Sequence, residues 1–418
     1  MPLSSAAGDV NTHYLQRLNE VADQREVRAR NDIYSDSGMK LLAAGARIDS
    51  RTSDRLLLHK LRAPLEQSLT IGDAVDASTL SRLADQVRDE TPMLARLLAS
   101  SDLVERFAAF GFSDTVRGVL TVMHGTDGKP LQHAILTGLL ATGLAQRLQL
   151  DKETITALAW AGLLHDAGEL YLSPQYQQSG YALKLADWRQ LSAHPVIGYR
   201  LAKSVCGFSE AAATAIFVHH ERFNGHGYPG GIRLQSVTGE VLAVAEVITS
   251  LSSRDHPLQR AEVALKLVPG EFSPALMTSV SVALNEVKDD SVPVSLDLTL
   301  ADIATVQARL REATALFKAC EDVPGLHAGD QVEKLYVRSR SRLQSLVQAM
   351  SSTGLGSIDS DAAWQDTPPW LRFEMGLILN EIRWRLRALA RDIAMRAHLL
   401  PDLAGDALAP VVQALDRP

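Results

Sequence analysis

The sequence has few of the features expected of secreted or membrane-inserted proteins. Only two of its 418 residues are cysteines, Cys206 and Cys320, which gives no basis for a disulfide framework or a thiolate metal site. No stretch offers about 18 uninterrupted apolar residues. The amino terminus also lacks a basic start followed by an apolar run. We therefore expect a cytoplasmic protein.

An excess of positive charge is also missing. The chain has 42 basic and 49 acidic residues and a formal net charge of −7, so there is no general electrostatic reason to bind a polynucleotide or an anionic membrane. Its apolar fraction of 46% and charged fraction of 22% are typical of globular proteins. The length predicts two or three folded units, each able to bury a core.

Hydrophobic periodicity predicts a mainly α fold. Short apolar pieces separated by turn residues indicate a small β-hairpin near residues 30–48, followed by a capped helix, and helical patterns dominate from Ala77 onward. We predict a central helical bundle between a small β-containing module and an all-helical C-terminal unit. The predicted units are an N-terminal tail or helix at 1–29, a leader module at 30–110, the bundle at 115–270 and the C-terminal unit at 290–418.

Histidine is scarce, with 12 in the chain, yet several lie near apolar helical runs in the middle third. His165 and Asp166 close a helix for which Asp151 is the candidate N-cap. Imidazole and carboxylate together are ligands expected for zinc, manganese or iron, and a metal would remove the cost of burying the carboxylate. Taken singly, each histidine is equally consistent with a hydrogen-bonded core residue. Their joint order favours a metal site.

That order is similar to the motif series of bacterial HD-GYP domains. The series consists of His133, then LLHDAGEL, HPVIGYRLA, HHERFNGHGYPGGI and AVAEVITSLSSR, and it covers about a third of the chain. The resemblance implies a helical domain that binds divalent metals, commonly iron or manganese. These metals activate water for attack on a phosphodiester of cyclic di-GMP or a related cyclic dinucleotide. The Gly-Tyr-Pro loop is expected to shape the substrate rim and to contact signalling partners.

The resemblance assigns roles residue by residue. The implied metal ligands are His133, His165, Asp166, His194, His219, His220 and Glu246. The implied rim comprises Asn224, Gly225, Gly227, Tyr228, Pro229 and Arg254. Asp166 and Glu169 are the candidate catalytic residues. No protein nucleophile is needed, because two metals sharing a water lower its pKa and neutralise charge on the phosphoryl oxygens.

The chain departs from the family pattern at several of these positions. Glu169 stands where the family has a phosphate-contacting lysine, so it would repel a phosphate, ligate a metal itself or face solvent. Glu246 replaces the last aspartate ligand, and Asn224 replaces an aspartate of the loop. Of the usual Arg-Pro-Tyr only Arg254 remains. Lys129 occupies the place of a glutamate that a third metal needs, so we expect two metals at most.

Three functional interpretations stay open at this stage. The first is a phosphodiesterase of cyclic di-GMP. The second is a catalytically degenerate receptor or scaffold, which the change to Glu169 favours. The third is another HD phosphohydrolase acting on nucleotides or an alarmone, against which the Gly-Tyr-Pro loop argues. Retention of the inward-facing histidines favours the first interpretation, because a scaffold has little use for groups that must be desolvated.

The C-terminal unit contains an arginine-rich helical run at about 370–399. Its arginines lie at 383, 385, 387, 391 and 396, interleaved with apolar residues. The pattern favours a helix packed into its own bundle with a solvated basic face. A helix that binds a partner or forms a homodimer is the alternative.

Overall fold

The strands of the described residues are short and lie near the N-terminus. The computed structural model describes residues 9–94, 97–98, 112–125, 127–177, 183–285, 298–323, 330–356, 358, 361–400 and 402–417. Within these ranges the strands are β1 (Val27–Ala29), β2 (Ile33–Tyr34), β3 (Lys40–Leu42) and β4 (Leu69–Ile71). The pairing of Ile33 with Leu42 joins β2 to β3 as the predicted hairpin. A second antiparallel pair joins β1 to β4.

The rest of the described chain is mainly helical, which confirms the predicted fold class. The N-terminal part of the chain contains α1 (Thr12–Ala22), within the predicted tail or helix, and α2 (Ser50–Leu57) and α3 (Ala77–Glu90), within the predicted leader. The central region contains α4 (Asp114–His124), α5 (Lys129–Arg147), α6 (Lys152–Leu164), α7 (Leu185–Leu191), α8 (His194–Arg200), α9 (Glu210–Val218), α10 (Val237–Leu251), α11 (Pro257–Lys266) and α12 (Pro274–Asn285). The C-terminal region contains α13 (Leu300–Ala319), α14 (Asp330–Ser352), α15 (Asp361–Asp366), α16 (Pro369–Ala397) and α17 (Asp402–Leu415).

The end of α6 sets the position of the His-Asp pair. Asp151 caps the start of α6, as predicted, by accepting a hydrogen bond from the backbone N–H of Thr154 at 2.9 Å. The helix ends at Leu164, and Asp166 precedes a 3₁₀ turn over Ala167–Tyr171. The predicted end of this helix at His165 and Asp166 therefore lies two residues beyond its end in the structure. The tight turn lets Gly168 approach the carbonyl oxygen of His194 so closely that a Cβ would overlap it.

The two helices that flank the histidines are held together by glycines. A Cβ added to Gly162 of α6 would lie 2.5 Å from the Cα of Gly138 in α5. The backbones therefore meet without intervening side chains, and this close approach fixes the ends of both helices relative to each other. His133 on α5 and His165 after α6 are brought near each other by this packing.

The described chain has two hydrophobic cores. One includes buried residues from Tyr14 to Leu284 and is therefore shared by the leader and the central bundle. The other extends from Leu267 to Leu415 and is built mainly from α13, α14, α16 and α17. The domain boundaries given above stay predictions. Among the described helices, none combines the length and apolar character needed to cross a bilayer.

Candidate metal centre

The central region directs its histidines and two carboxylates towards one centre. The contributing side chains are His133 on α5, His165 and Asp166 after α6, His194 at the start of α8, His219 and His220 after α9, and Glu246 on α10. Their ligand atoms form two groups. One group combines His133, His165 and Glu246, and the other combines Asp166, His194, His219 and His220.

Asp166 lies between the two groups and faces both. Its Oδ2 is 3.1 Å from Nε2 of His165 and 3.5 Å from Nε2 of His133. Its Oδ1 is 3.4 Å from Nε2 of His194 and 3.7 Å from Nε2 of His219. One carboxylate oxygen thus serves each group, which is the arrangement expected of a bridging ligand between two ions.

Glu246 completes the first group despite its extra methylene. Its Oε2 lies 3.1 Å from Nε2 of His133 and 3.1 Å from Nε2 of His165. Nε2 of His165 is fully buried, and no neighbouring atom is oriented for a good hydrogen bond with it, although two carboxylates lie at 3.1 Å. A buried ring nitrogen without a well-placed partner is costly. A cation bound between these atoms would satisfy it.

Backbone carbonyls orient three of the imidazoles. Nδ1 of His165 donates to the carbonyl of Gly162 at 2.8 Å. In the same way, Nδ1 of His194 donates to the carbonyl of Leu191 at 2.8 Å, and Nδ1 of His219 to that of Ile216 at 2.6 Å. Because a metal-ligating histidine commonly donates its other ring N–H in this way, the contacts present Nε2 as the ligand atom.

The second group shows most directly that a cation fits. Nε2 of His194 and Nε2 of His219 lie 3.2 Å apart. With both Nδ1 atoms donating to carbonyls, two neutral rings would oppose their Nε2 lone pairs, which is repulsive. Nitrogens bound about 2.1 Å from a shared ion lie roughly 3 Å from each other, so an ion in this group would turn the repulsion into coordination.

The electrostatics of the two groups differ. Burial lowers the pKa of His219 to about 3, with help from the neighbouring His194. Burial also takes the pKa of His220 well below its usual range. In the other group burial opposes protonation of His165, but the Asp166 and Glu246 charges outweigh it and raise the pKa. Burial would raise the pKa of Asp166, yet the surrounding histidines hold it well below its usual range. Burial opposes ionisation of Glu246 too, but His133 and His165 lower its pKa to about 2, so both carboxylates are ionised.

Comparison with known proteins identifies the helical region that carries this centre. The family model described as HD domain matches residues 131–267. Curated relatives include a cyclic di-GMP phosphodiesterase of Thermotoga maritima, 25% identical over 167 residues, and the cyclic di-GMP phosphodiesterase response regulator RpfG of Xanthomonas campestris, 30% identical over 161 residues. Residues 131–267 are therefore similar to HD domains, and the motif series that resembles HD-GYP domains lies mostly within them.

The similarity is limited to part of each protein. Each of those two alignments covers 38% of this chain, and they cover 45% and 42% of the relatives. A 3'3'-cGAMP-specific phosphodiesterase 3 of Vibrio cholerae is 28% identical over 185 residues, which is 42% of this chain and 39% of the relative. The chain thus spans less than half the length of these curated relatives. The leader helix α1 and the C-terminal region from residue 268 lie outside the HD domain match.

The Gly-Tyr-Pro loop of the HD domain packs against the second ligand group. The Tyr228 ring stacks on His220 with a centroid distance of 4.5 Å, and the Tyr228–Pro229 bond is cis. Gly227 approaches the backbone of His220 and Glu221 so closely that a Cβ would not fit. Asn224 accepts a hydrogen bond from the backbone N–H of His226 at 3.0 Å, and Gly225 has a φ of +78°. The loop is therefore a rigid wall beside the centre.

A buried glutamate holds this loop from inside. Glu221 is fully buried, and its carboxylate accepts hydrogen bonds from the backbone N–H groups of Gly230, Gly231 and Ile232 at 2.6, 2.9 and 3.1 Å. Sequence reasoning gave this residue no role of its own, because its position after the two histidines concealed it within the motif. A charged acceptor shared by three amides fixes the loop strongly.

The C-terminal region holds the same loop from outside. Arg338 on α14 donates to the carbonyls of Gly227 at 2.8 Å and Gly231 at 3.2 Å, and Arg396 on α16 donates to that of Gly227 at 3.0 Å. Oδ1 of Asp392 lies 2.8 Å from Nε of Arg396, and this ion pair orients the guanidinium group. The backbone carbonyls of Gly227 and Gly231 are thus already bound by the C-terminal region of the same chain. Binding of another signalling protein through the loop stays a prediction.

Glu169 lies outside both ligand groups of the described residues. Its backbone carbonyl is 3.4 Å from Nη2 of Arg17 on α1. Burial lowers the pKa of Arg17, and the negative charge of Glu169 opposes that shift. Burial also raises the pKa of Tyr228, to which the charges of Asp166 and Glu169 add. Glu169 is half-buried, so its charge acts at the edge of the centre. Its catalytic role stays a prediction.

Two further sequence positions lie away from the ligand groups. Lys129, at the place where a third metal would need a glutamate, has a side chain that is 79% exposed and pairs with Asp127 at 3.7 Å. Arg254 is exposed and lines a cavity beside His220 and Glu246. The expectation of two metals at most stays a prediction, and Arg254 lies near the centre on the cavity wall.

The basic face of α16 is not a solvated surface, and that expectation is wrong. Arg385 has a side chain that is only 12% exposed, and it binds Glu271, Glu381 at 2.8 Å and the carbonyl of Ala264 at 2.6 Å. Glu271 also lies 3.5 Å from Arg222, which follows the paired histidines. Arg385 thus contacts the HD domain through the carbonyl of Ala264 and, through Glu271, lies near Arg222 of the same domain.

Proposed function

We propose that this chain is a metal-dependent phosphodiesterase that hydrolyses a cyclic dinucleotide, cyclic di-GMP in the first instance. The observation that carries the proposal is the position of Asp166, whose two oxygens are divided between two groups of imidazole ligands. The names of the curated relatives, cyclic di-GMP and 3'3'-cGAMP phosphodiesterases, support the same substrate class.

The proposed ligand set is that inferred from the sequence. His133, His165 and Glu246 would hold one divalent ion, and His194, His219 and His220 the other, with Asp166 shared between them. Two bound ions, iron or manganese, would supply an acidified water and screen the charge that develops on the phosphoryl oxygens. The protein contributes fixed ligand directions, because backbone carbonyls hold the Nδ1 atoms of three rings.

The residues around the centre limit what the site can bind. Tyr228 covers His220 and forms an edge contact with Trp188 at 5.5 Å, so apolar rings flank the ligands on the loop side. Hydrolysis breaks one bond between phosphorus and a sugar oxygen, water supplies the new oxygen on phosphorus, and the leaving oxygen takes up a proton. The rigid loop would hold the diester in line for this displacement.

A receptor or scaffold is the second candidate function, and the observation that favours it is Glu169. A negative side chain stands where the family has a phosphate-contacting lysine, and its charge acts on Tyr228 beside the centre. Such a charge disfavours a phosphate. A chain that binds the dinucleotide without cleaving it would retain the metal ligands and the loop.

The test separates these two candidates. We would incubate the full chain anaerobically with Mn²⁺ or Fe²⁺ and cyclic di-GMP, follow products by chromatography and measure bound metal by mass spectrometry. Asp166→Asn is the loss variant, and Asp127→Asn, an exposed acid at the start of α5, is its matched control. Turnover that disappears only in Asp166→Asn supports the phosphodiesterase. Tight binding of the dinucleotide without turnover under either metal supports the receptor.

A further inference from the structure

A cavity of about 570 Å³ lies between the HD domain and the C-terminal helices. His220, Tyr228 and Glu246 line one side, so the cavity reaches the candidate metal centre. The opposite side is lined by residues of α14 and α16. This volume is within the range of roughly 300–1,000 Å³ found for small-molecule sites. The C-terminal region therefore forms one wall of the space a substrate of the centre would occupy.

The cavity is positively charged although the protein is acidic. Eight arginines and four carboxylates line it, in a chain with a net charge of −7. The carboxylates are already engaged, Glu246 by the histidines, Glu271 and Glu381 by Arg385, and Asp392 by Arg342 and Arg396. The arginines therefore outnumber the carboxylates of the lining, and their excess positive charge is available to a ligand. A cavity of this charge attracts an anion.

Four arginines carry this excess. Within the described part of the chain, no carboxylate lies within ion-pair distance of Arg254, Arg260, Arg387 or Arg391, and of these Arg260 donates to the backbone carbonyl of Asp255 at 2.6 Å. Arg391 lies over the ring of Trp188, with its guanidinium carbon 5.4 Å from the ring centroid. Burial lowers the pKa of Arg391, the charge of Asp416 opposes that shift, and the nearby Arg387 adds to it. Two neighbouring guanidinium groups that form no close ion pair are suited to a shared anion such as a phosphodiester.

An exposed aromatic residue accompanies these arginines. Trp384 lines the cavity and is 52% exposed, which is unusual for so large an apolar side chain. Trp384, Arg387 and Arg391 recur at spacings of three and four residues, so they lie on one face of α16. An indole and guanidinium groups on one face offer both base stacking and phosphate binding.

We propose that α16 supplies part of the substrate-binding site, with Arg387 and Arg391 binding a phosphodiester and Trp384 stacking on a base of the cyclic dinucleotide. This inference rests on the proposed function. It assigns a substrate-binding role to the C-terminal region, which lies beyond the match to the HD domain. It also explains how a chain with Glu169 in place of a lysine retains cationic contacts for its substrate.

The anchoring of α16 makes these residues a fixed wall. Arg385, two positions before Arg387, is buried against Glu271 and the carbonyl of Ala264. Arg396, five positions after Arg391, donates to the carbonyl of Gly227 in the Gly-Tyr-Pro loop. The helix is thus attached to the HD domain on both sides of the proposed contacts. Preorganised contacts lower the entropic cost of binding.

The experiment measures binding and turnover separately in the full chain. Cyclic di-GMP is titrated calorimetrically into Mn²⁺-loaded Asp166→Asn protein, alone and combined with Arg387→Gln, Arg391→Gln or Trp384→Ala. We expect each added change to weaken binding about tenfold. Arg311→Gln, an exposed arginine of α13 that does not line the cavity, is expected to leave binding within about twofold.

The outcomes distinguish this inference from the proposed function. If Arg387→Gln, Arg391→Gln and Trp384→Ala all bind and turn over cyclic di-GMP as the parent chains do, the inference is overturned while the phosphodiesterase stands. If binding depends on these residues but the wild-type chain cleaves nothing, the inference stands and the phosphodiesterase fails. Circular dichroism and thermal melting of each variant verify that a loss of binding does not come from unfolding. No binding by any chain overturns the inference.

Discussion

The two walls of the cavity differ in the side chains that form them and in how those side chains are held. The HD domain wall consists of buried and half-buried candidate ligands whose polar atoms face one another at 3.1–3.7 Å, and backbone carbonyls fix three of the imidazoles. The C-terminal wall consists of residues of α14 and α16, including paired arginines such as Arg342 and Arg385 and the face of α16 that carries Trp384, Arg387 and Arg391. The first wall is suited to chemistry and the second to recognition. Variants of the first should therefore change metal content and turnover, whereas variants of the second should change affinity and docking.

The largest expected effect is on the HD domain wall. Glu246→Gln removes the negative charge of the carboxylate that forms a group with His133 and His165, and leaves that group with the shared Asp166 alone. Since ligand charge determines much of divalent ion affinity, we expect bound metal to fall by about one equivalent and turnover to fall more than about 100-fold. Metal analysis by mass spectrometry and initial rates measure the two effects.

The matched control for that change is Glu262→Gln on α11. Glu262 pairs with Lys266 at 2.7 Å across one helical turn, a contact worth only about 0.2–0.5 kcal/mol. We expect unchanged metal content in this variant. Full metal content and full turnover in Glu246→Gln would show that Glu246 is a structural partner of the two histidines and not a ligand.

The second largest effect is expected where α16 packs against the rest of the chain. Arg385→Met leaves Glu271 and Glu381 without their shared cation at a site where the arginine is 12% exposed. Breaking a buried ion pair at one partner costs about 3–5 kcal/mol, so we expect a loss of that order in the free energy of unfolding measured with urea. The affinity for the dinucleotide should fall as well, while bound metal stays constant.

Arg340→Met is the control that sharpens this comparison. Arg340 pairs with Glu321, but its side chain is 44% exposed, and pairs of that kind contribute about 0–1 kcal/mol. Equal losses of stability in the two variants would contradict the docking role of Arg385. A loss of metal in Arg385→Met would show that the two walls are not separable.

The two walls also differ in how far the sequence predicts them. The ligands of the HD domain lie within short motifs that keep their order along the chain, so the motifs alone identify His133, His165 and Asp166. The order of arginines in α16 indicates a basic helix face but not its neighbour. Only the fold shows that Glu271 and Gly227 receive those arginines. Contacts between residues more than 100 positions apart leave no local pattern in the sequence.

Local structure shows the same limit on a smaller scale. The hairpin of β2 and β3 and the cap at Asp151 follow from turn and capping residues and were predicted. The end of α6 at Leu164 was not, because the tight turn that follows depends on the approach of Gly168 to His194. Glu221 was overlooked for a similar reason, since its three amide partners belong to a loop that closes only in the folded chain.

A smaller effect is expected from the glycine contact beneath the ligands. Gly162→Ala places a Cβ 2.5 Å from the Cα of Gly138, where neither backbone can give way freely. Overpacking of this kind costs about 1–3 kcal/mol, and the displaced α6 should also lower metal affinity. Gly405→Ala in α17 is the control, because no atom lies within 4 Å of its added Cβ. Helix propensity predicts a gain of up to about 1 kcal/mol there.

The smallest expected effect is at the loop between the two walls. Asn224→Asp restores the acid of the family pattern and retains an oxygen able to accept the backbone N–H of His226, as Asn224 does at 3.0 Å. We expect stability within about 0.5 kcal/mol of the parent and turnover within about twofold. Asn224→Leu, which lacks that oxygen, should lose roughly 1 kcal/mol. A large fall in dinucleotide affinity in Asn224→Asp alone would mean that the substrate phosphate passes close to this side chain, because only the added negative charge separates the variant from its parent.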